Sequence, residues 1–448
     1  MVVMDQNTKL KVVIGLGKTG ISCVNYLIQS GANVAIIDSR ANPPGLNELK
    51  EKYPQIPLHL GDFNAEFLSQ ASEIIVSPGV ALKEPAIANA IKQGIPVIGD
   101  IELFARVAKA PIVAITGSNG KSTVTSLVCE MAKAAGVNVK VGANLGEPAL
   151  DLLDAKVELY VLELSSFQLE TTYLLKAQAA VVLNISEDHM DRYEDLAEYA
   201  LAKKRIYHNC KVAVINRDDP ASFSGVKLPE KILSFGLNAK DVDFGVNSDF
   251  SELICEGKIT FPTNKLKIKG LHQIANALAA LALGRAAYLP YPAMFKALQE
   301  FPGLEHRCQW VREINGITWY NDSKGTNVGA TLAAIVGIGK SIQGKIVLIA
   351  GGLGKDADFV PLKNVVAAYV RTVILIGKDA TIIAEALANS TEIIFADSMH
   401  QAVTLAAMHA KINDAVLLSP ACASFDMFDN FEHRGKVFMD EVCLINDE

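Results

Sequence analysis

The sequence predicts an α/β protein of three domains built on largely parallel sheets. Strand-like apolar runs alternate with helix-length segments from one end of the chain to the other. Twice an apolar run leads into a glycine loop and then a helix-like segment, at residues 15–20 and again at 116–123. The 448 residues amount to about three domains of ordinary size.

The elements follow in order. In the first hundred residues the strand-like runs are 12–16, 34–38, 73–77 and 95–99. The chain restarts at 110–116 with the second glycine loop, and runs at 159–163 and 180–184 follow. A third restart lies near Pro302-Gly303, with runs at 316–320, 346–350, 372–376 and 415–418. There is no short-period repeat and no low-complexity linker. The domains are therefore placed at 1–99, 100–303 and 304–448.

Composition narrows the class. Half the residues are hydrophobic and a fifth charged, which suits a soluble enzyme with large cores. A net charge of −7 argues against nucleic acid as the main partner. No apolar run reaches ~18 residues, and the alanine-rich stretch 275–287 is interrupted by Asn276, Gly284 and Arg285, so no membrane insertion is expected. The start, M-V-V-M-D-Q-N-T-K, lacks a basic region followed by an apolar core, so no signal peptide is expected. Seven scattered cysteines form no C-x-x-C pair and read as reduced core residues of a cytoplasmic protein. A monomer is the expected state, although nothing in the sequence fixes the oligomeric state.

The first loop, G-L-G-K-T-G, has the spacing of a dinucleotide-binding βαβ unit, and Asp38 at the end of the second run is placed to meet a ribose. Those glycines specify the geometry of a pyrophosphate. NAD and another nucleoside diphosphate both remain open.

The second loop, T-G-S-N-G-K-S-T, comprises Gly117, Ser118, Asn119, Gly120, Lys121, Ser122 and Thr123 after Thr116. Backbone N–H groups at such a helix start cradle phosphate, with Lys121 reaching the β- and γ-phosphates and the Ser122 hydroxyl facing Mg²⁺. Ile115 stands where the common P-loop has its first glycine, which leaves a shorter G-x-x-G-K-S form. The competing reading is an ordinary strand–turn–helix with a surface lysine.

Two strand ends near this loop carry metal-type ligands: Glu163, closing L-Y-V-L-E, and His189, in S-E-D-H-M-D. The segment 194–207 then reads as helix, with Leu196, Tyr199, Ala200, Lys203, Ile206 and Tyr207 on one face. Lys203 thus takes an apolar-face position, while Lys204 and Arg205 point elsewhere. Desolvation there favours the neutral amine, which can add CO₂ and become a metal-binding carbamate. The alternative is a lysine snorkelling at the edge of the stripe.

The motifs T-G-S-N-G-K-S-T, L-E-L-S-S-F-Q-L-E, E-D-H-M-D-R-Y, N-D-S-K-G-T-N and L-S-P-A-C-A-S-F-D-M-F resemble those of the Mur ligase superfamily, in register from about residue 10 to about 440. The S-S-F-Q and S-P-A-C-A-S motifs favour the D-glutamate-adding branch. The resemblance implies a Rossmann-like N-terminal domain for a UDP-sugar, a central P-loop-type ATP-binding domain with a mainly parallel sheet, and a Rossmann-like C-terminal domain for the amino acid. It implies ATP-dependent ligation of D-glutamate to UDP-N-acetylmuramoyl-L-alanine through an acyl phosphate and a tetrahedral intermediate, with two Mg²⁺ ions.

The resemblance also assigns residues. Lys121 and Ser122 take ATP phosphate and Mg²⁺, Glu163 and His189 become metal ligands, and Lys203 matches the carbamylated lysine. Asn144 falls at the acyl-phosphate region, and Asn276, His306, Arg307, Asp322 and Lys324 at the nucleotide or phosphoryl group. Gly17, Lys18, Thr19, Asp38, Ser39, Arg40, Ser77, Pro78 and Gly79 fall on the UDP part, with Ser165, Gln168 and Arg192 along the muramoyl part. Thr326, Lys355, Ser424, Phe425 and Phe431 form the amino-acid pocket, although Lys355 in G-G-L-G-K also reads as a solvated surface group. One departure is Gln273 in H-Q-I-A-N, where the family often shows H-N-x-x-N. A dehydrogenase would leave the Lys121 loop unexplained. A bare P-loop ATPase would show no amino-acid dependence, and a sister ligase would differ in its end domains.

Overall fold

The computed structural model describes residues 9–186, 192–237, 243–268, 270–354 and 357–446; His189 and Lys355 lie outside them. The chain carries three α/β sheets. It divides into two compact units: one holds the chain up to Ser248 with Ile254–Thr260 and Leu278–Ala297, the other Asp249–Leu253, Phe261–Ala277 and Leu298–Glu448.

The first sheet comprises β1 (Leu10–Ile14), β2 (Asn33–Asp38), β3 (Leu58–Leu60), β4 (Glu73–Val76) and β5 (Val97–Ile98), in the order β3-β2-β1-β4-β5. Every pairing is parallel. The order reverses between β1 and β4, and the crevice beyond that switch is where such sheets hold ligands. The loop Gly15–Gly20 leaves β1 there, and Ser77-Pro78-Gly79 leaves β4 beside it. The glycines do three different jobs. Gly15 adopts φ +91°, which a side chain disfavours. A Cβ at Gly17 would meet nothing within 4 Å. A Cβ at Gly20 would lie 1.9 Å from the Gly15 carbonyl oxygen, so only glycine lets helix Lys18–Gln29 pack this close to its own loop.

The second sheet comprises β6 (Ile112–Thr116), β7 (Val139–Ala143), β8 (Leu159–Glu163), β9 (Ala179–Val182), β10 (Val212–Asn216), β11 (Lys231–Phe235), β12 (Phe244–Val246), β13 (Glu252–Cys255) and β14 (Ile259–Pro262). Their order is β14-β13-β12-β11-β10-β9-β6-β8-β7, and the pairings from β7 through β12 are parallel. β6, β8 and β9 are buried along their whole length, hence their continuous apolar sequence. β6 sits between β8 and β9, so the residues after Thr116, Glu163 and Val182 emerge side by side.

The third sheet comprises β15 (Gln309–Ile314), β16 (Ile317–Asn321), β17 (Ile346–Gly351), β18 (Val370–Ile376), β19 (Glu392–Phe395) and β20 (Ala415–Leu418), in the order β15-β16-β20-β17-β18-β19. Only the β15–β16 hairpin is antiparallel. The sequence runs named no strand at β3, β7, β10 to β15 or β19; three of these, β3, β15 and β19, share one physical reason. They are edge strands whose residues are mostly half-buried, so no apolar run marks them.

All seven cysteines are free. Among the described residues, no helix is long and apolar enough to cross a membrane.

Replacing Gly20 with alanine is expected to destabilise the first domain by about 3 kcal/mol, because the new methyl overlaps backbone that cannot rotate away. Gly17→Ala should leave the unfolding midpoint nearly unchanged. Thermal denaturation of the two variants checks the contrast.

Candidate functional site

The first glycine loop opens on a cavity of about 630 Å³. Its lining includes Gly15, Gly17, Lys18, Thr19, Asp38, Ser39, Arg40, Ser77, Pro78 and Gly79 from the first sheet's loops. Asn144, Gly146 and Gln168 close it from the second sheet's side, within the same compact unit. Lys18 Nζ crosses the cleft to donate to the Gly146 carbonyl at 2.8 Å. Helix Lys18–Gln29 starts at Gly17 with no side-chain cap, so its first N–H groups remain available to an anion.

Asp38 takes a more internal part than the ribose contact its position suggested. It is buried, and its carboxylate accepts from Leu16 N (2.7 Å), Arg40 N (2.9 Å) and the Arg40 guanidinium (2.9 and 2.7 Å). Burial alone would raise this carboxyl, but the hydrogen bonds from Arg40 and Leu16 outweigh it and hold the group below the usual range. Asp38 thereby aims Arg40 along the cavity wall.

Arg192 lines a different cavity, with Lys83, Tyr193 and Glu198. Its guanidinium stacks 4.0 Å from the Phe167 ring and donates to the Pro78, Gly79 and Val80 carbonyls at 3.4–3.5 Å. Ser165 caps the short helix Ser166–Glu170 in a reciprocal box with Gln168. It serves the cavity by fixing that side chain.

The second glycine loop joins β6 to helix Lys121–Ala134, with Gly120 at φ +83° as the N-cap. It is tied to the chain leaving β9. Asn119 N donates to Asn184 Oδ1 at 2.8 Å, Asn184 Nδ2 returns to Asn119 O at 3.0 Å, and the Ser118 hydroxyl exchanges bonds with the Ser186 backbone at 2.9 Å. Lys121 Nζ folds over its own loop, donating to the Gly117 and Ser118 carbonyls at 2.8 and 3.0 Å. Thr123 is buried and Ser122 half-buried at the helix start.

Helix Leu196–Lys204 brings Lys203 to the underside of this loop. Lys203 is 2% exposed, and its Nζ donates to Gly117 O at 3.0 Å, approaches Thr116 Oγ1 at 3.5 Å and lies 4.6 Å from the Tyr199 ring centre. The snorkelling alternative is thereby excluded. The face itself is imperfect: Tyr199, Ala200, Ile206 and Tyr207 are buried as expected, but Leu196 is 37% exposed. Lys204 does point elsewhere, to the Ser224 carbonyl at 2.8 Å, yet is buried too.

Glu163 ends β8 in register with Ile115 of β6. It is buried, Oε1 accepts from Asn144 Nδ2 at 2.7 Å, and Oε2 has no hydrogen-bond partner among the described residues. A buried carboxylate oxygen left unpaired is expensive, and a cation is the usual remedy. Ala143, just before Asn144, holds φ +79°, strained for a residue with a side chain. Among the described residues no group of three or more His, Cys, Asp or Glu forms a metal cluster. The carboxylate of Glu163 and the Ser122 hydroxyl are oxygen donors of the kind that suits a hard cation such as Mg²⁺.

In the second compact unit, Asp322 and its neighbours lie where β16 and β20 end. Asp322 follows β16, and Ser419 after β20 donates to its Oδ2 at 2.7 Å, while Cys308 N donates to Oδ1 at 3.0 Å. Burial pushes this carboxyl up to about 6, with those hydrogen bonds only partly offsetting it. Burial has the opposite effect on the His306 imidazole, lowering it, and His306 pairs its Nδ1 with Asn321 Nδ2 at 2.9 Å. Lys324 Nζ sits 5.1 Å from the centre of the Phe431 ring, which meets His306 edge-on. Ser424 is buried, Phe425 is 66% exposed, and Thr326 and Arg307 are half-buried and exposed respectively. Gln273 Oε1 accepts from Asn276 Nδ2 at 3.1 Å, one helical turn on, so the departure from H-N-x-x-N orients the asparagine.

Sequence reasoning missed Asp100. It is buried at the start of helix Asp100–Val107, where Oδ2 accepts from Gln168 Nε2 at 3.0 Å and Oδ1 has no partner among the described residues. It sets the orientation of the amide that lines the cavity. In sequence it is one acid in a G-D-I-E-L-F stretch, indistinguishable from a solvated helix start.

Comparison with known proteins agrees along the chain. Residues 9–99 match the Mur ligase MurD-like N-terminal domain, 115–284 the Mur ligase middle domain, and 306–422 the Mur ligase glutamate ligase domain. A protein of Pseudomonas syringae pv. tomato named UDP-N-acetylmuramoylalanine--D-glutamate ligase is 54% identical over 442 residues, covering 97% of this chain and 98% of its own. A protein of the same name from Coxiella burnetii is 52% identical over 434 residues, with coverage of 97% and 98%. Among solved structures, the UDP-N-acetylmuramate-alanine ligase MurC of Thermotoga maritima shares the fold at TM-score 0.55 and 17% identity, over 96% of this chain and 98% of its own. A UDP-N-acetylmuramoyl-L-alanyl-D-glutamate--2,6-diaminopimelate ligase does so at 0.58 and 20%, over 77% and 86%.

Asp100 makes the fold pH-sensitive in a definite direction. Burial raises its carboxyl to about 6, the Gln168 bond notwithstanding. A raised folded-state value means the charged form is penalised, fully above about pH 6 and not at all below about pH 4. Asp100→Asn is therefore expected to gain on the order of 2 kcal/mol at pH 8 and to lose that gain by pH 4. Thermal melts across that range decide it, since a gain independent of pH would contradict the assignment.

Proposed function

Because the chain belongs to the Mur ligase family, we propose that it joins D-glutamate to UDP-N-acetylmuramoyl-L-alanine and converts ATP to ADP and phosphate. One observation carries the ligase reading. A pyrophosphate-type cavity and a phosphate-loop centre share Asn144, which lines the first and donates to Glu163 beside the second. A dehydrogenase needs no such junction. The substrate names come from relatives more than half identical over nearly their whole length.

The chemistry brings anions together. The substrate carboxylate attacks the γ-phosphorus, a new P–O bond forms, and ADP leaves with the bridging electron pair. The amine of D-glutamate then attacks the acyl carbon, and the tetrahedral adduct expels phosphate and loses a proton to leave the amide. The Lys121 ammonium and the N–H groups at the start of helix Lys121–Ala134 neutralise charge on the triphosphate. Asn144 Nδ2 orients Glu163 and marks the acyl end of the cavity. Mg²⁺ held by Ser122, Glu163 and His189 would lower the repulsion between the two anions. Carbamylation of Lys203 by CO₂ would release one proton from the neutral amine, or two from the ammonium, and leave a carboxylate suited to a second Mg²⁺.

The remaining roles follow the domains 1–99, 100–303 and 304–448. Gly17, Lys18 and Thr19 take the diphosphate, Ser39 and Arg40 the nucleoside, and Gln168 the muramoyl part. Asn276, His306, Arg307, Asp322 and Lys324 take nucleotide or phosphoryl groups. Thr326, Lys355, Ser424, Phe425 and Phe431 take the amino acid. ATP and UDP-linked substrates, with seven free cysteines, suit a cytoplasmic enzyme.

Phosphate release with ATP, Mg²⁺ and UDP-N-acetylmuramoyl-L-alanine is expected to depend on D-glutamate; equal stimulation by L-glutamate or L-alanine would sink the assignment. Lys203→Ala should lower kcat by about 10²–10³-fold or more, with short carboxylic acids restoring part of it. Full activity in that variant would make Lys203 purely structural.

A further inference from the structure

Four segments of the C-terminal sheet's site converge on one buried guanidinium. Helix Phe431–Cys443 begins with Phe431, and one turn on it carries Arg434 at 1% exposure. Arg434 Nε donates to Ser323 Oγ at 3.0 Å, and Nη2 donates to the carbonyls of Ser323 at 2.9 Å and Cys422 at 3.1 Å. Ser323 Oγ in turn donates to the Phe431 carbonyl at 2.8 Å. Ser323 stands between Asp322 and Lys324, and Cys422 lies two residues before Ser424. The last nitrogen, Nη1, is buried with no hydrogen-bond partner among the described residues, and a Cβ at Gly352 would lie 3.4 Å from it.

A buried cation is ordinarily matched by a carboxylate in contact. Here the acceptors are one hydroxyl and two carbonyls, while Asp426 and Asp322 act through space, and burial pulls the guanidinium down to about 10. An apolar chain of similar volume would fill the space without that desolvation cost. What it could not supply is a rigid planar fork reaching two loops at once, and neither could lysine. The Cys422 loop is strained at Ala421, which has φ +57°.

We propose that Arg434 is the positioning residue of the amino-acid site, setting the Ser323 loop against the Cys422 loop so that Thr326 faces Ser424 and Phe425. It touches no reacting atom. Its effect is on how tightly the incoming amino acid is held, and it rests on the ligase reading above.

The test is steady-state kinetics of the full chain as Arg434→Lys, Arg434→Met and the milder Ser323→Ala. Both arginine variants are expected to raise KM for D-glutamate about tenfold or more while KM for UDP-N-acetylmuramoyl-L-alanine stays within about twofold. Ser323→Ala should give a smaller rise of the same kind. Should Arg434→Met fail to fold, the other two decide by the same criterion. A D-glutamate KM unchanged in the folded variants, or a loss of active fraction with all KM values unmoved, overturns the proposal and leaves Arg434 a structural residue. A native chain without D-glutamate-dependent turnover overturns the substrate reading and this inference with it, whereas an active native chain with unshifted variants overturns the inference alone.

Discussion

The bond from Lys203 Nζ to the Gly117 carbonyl is the contact on which the packing around the second glycine loop depends. It places a primary amine where water barely reaches, at the first residue of the phosphate loop. Gly117 holds φ +154° there, and a side chain at that position would run into Leu183 of the β9 exit. The loop, the helix bearing Lys203 and the chain leaving β9 are therefore one packed object. Desolvating an ammonium this far is costly, and the cost makes sense if the group is chemically used.

The same logic recurs at the neighbouring strand. Glu163 is buried with one oxygen paired to Asn144 and the other unpaired, an arrangement that a purely structural carboxylate would avoid. Parallel sheets make this possible because their strands end side by side, so polar groups from distant parts of the chain meet beyond one edge. Asp322 and Ser419 meet in this way at the end of the third sheet, and Gly15 and Ser77 at the end of the first.

What the sequence made legible was local. The glycine loops could be read because turn, approach and phosphate geometry all fall within a few residues, and Gly15, Gly17 and Gly20 indeed differ in the space around them. Lys203 could be found from a helical period, although the period overstated the burial of Leu196 and missed that of Lys204. Asp38 showed the limit of spacing, since it lines the cavity while its hydrogen bonds run to Leu16 and Arg40. Asp100 and Arg434 were invisible because their partners, Gln168, Ser323 and Cys422, lie 68, 111 and 12 residues away and only folding brings them together. The edge strands β3, β15 and β19 escaped because their residues are mostly half-buried, which blurs any apolar pattern.

A buried amine that is used should carry a chemical signature of that use. Carbon-13 NMR of the full chain equilibrated with ¹³C-bicarbonate and Mg²⁺ reads it directly. The account predicts one carbamate resonance in the native protein, lost on acidification and absent from Lys203→Ala. A native enzyme that turns over with no such resonance, or a resonance that survives in the variant, would contradict it.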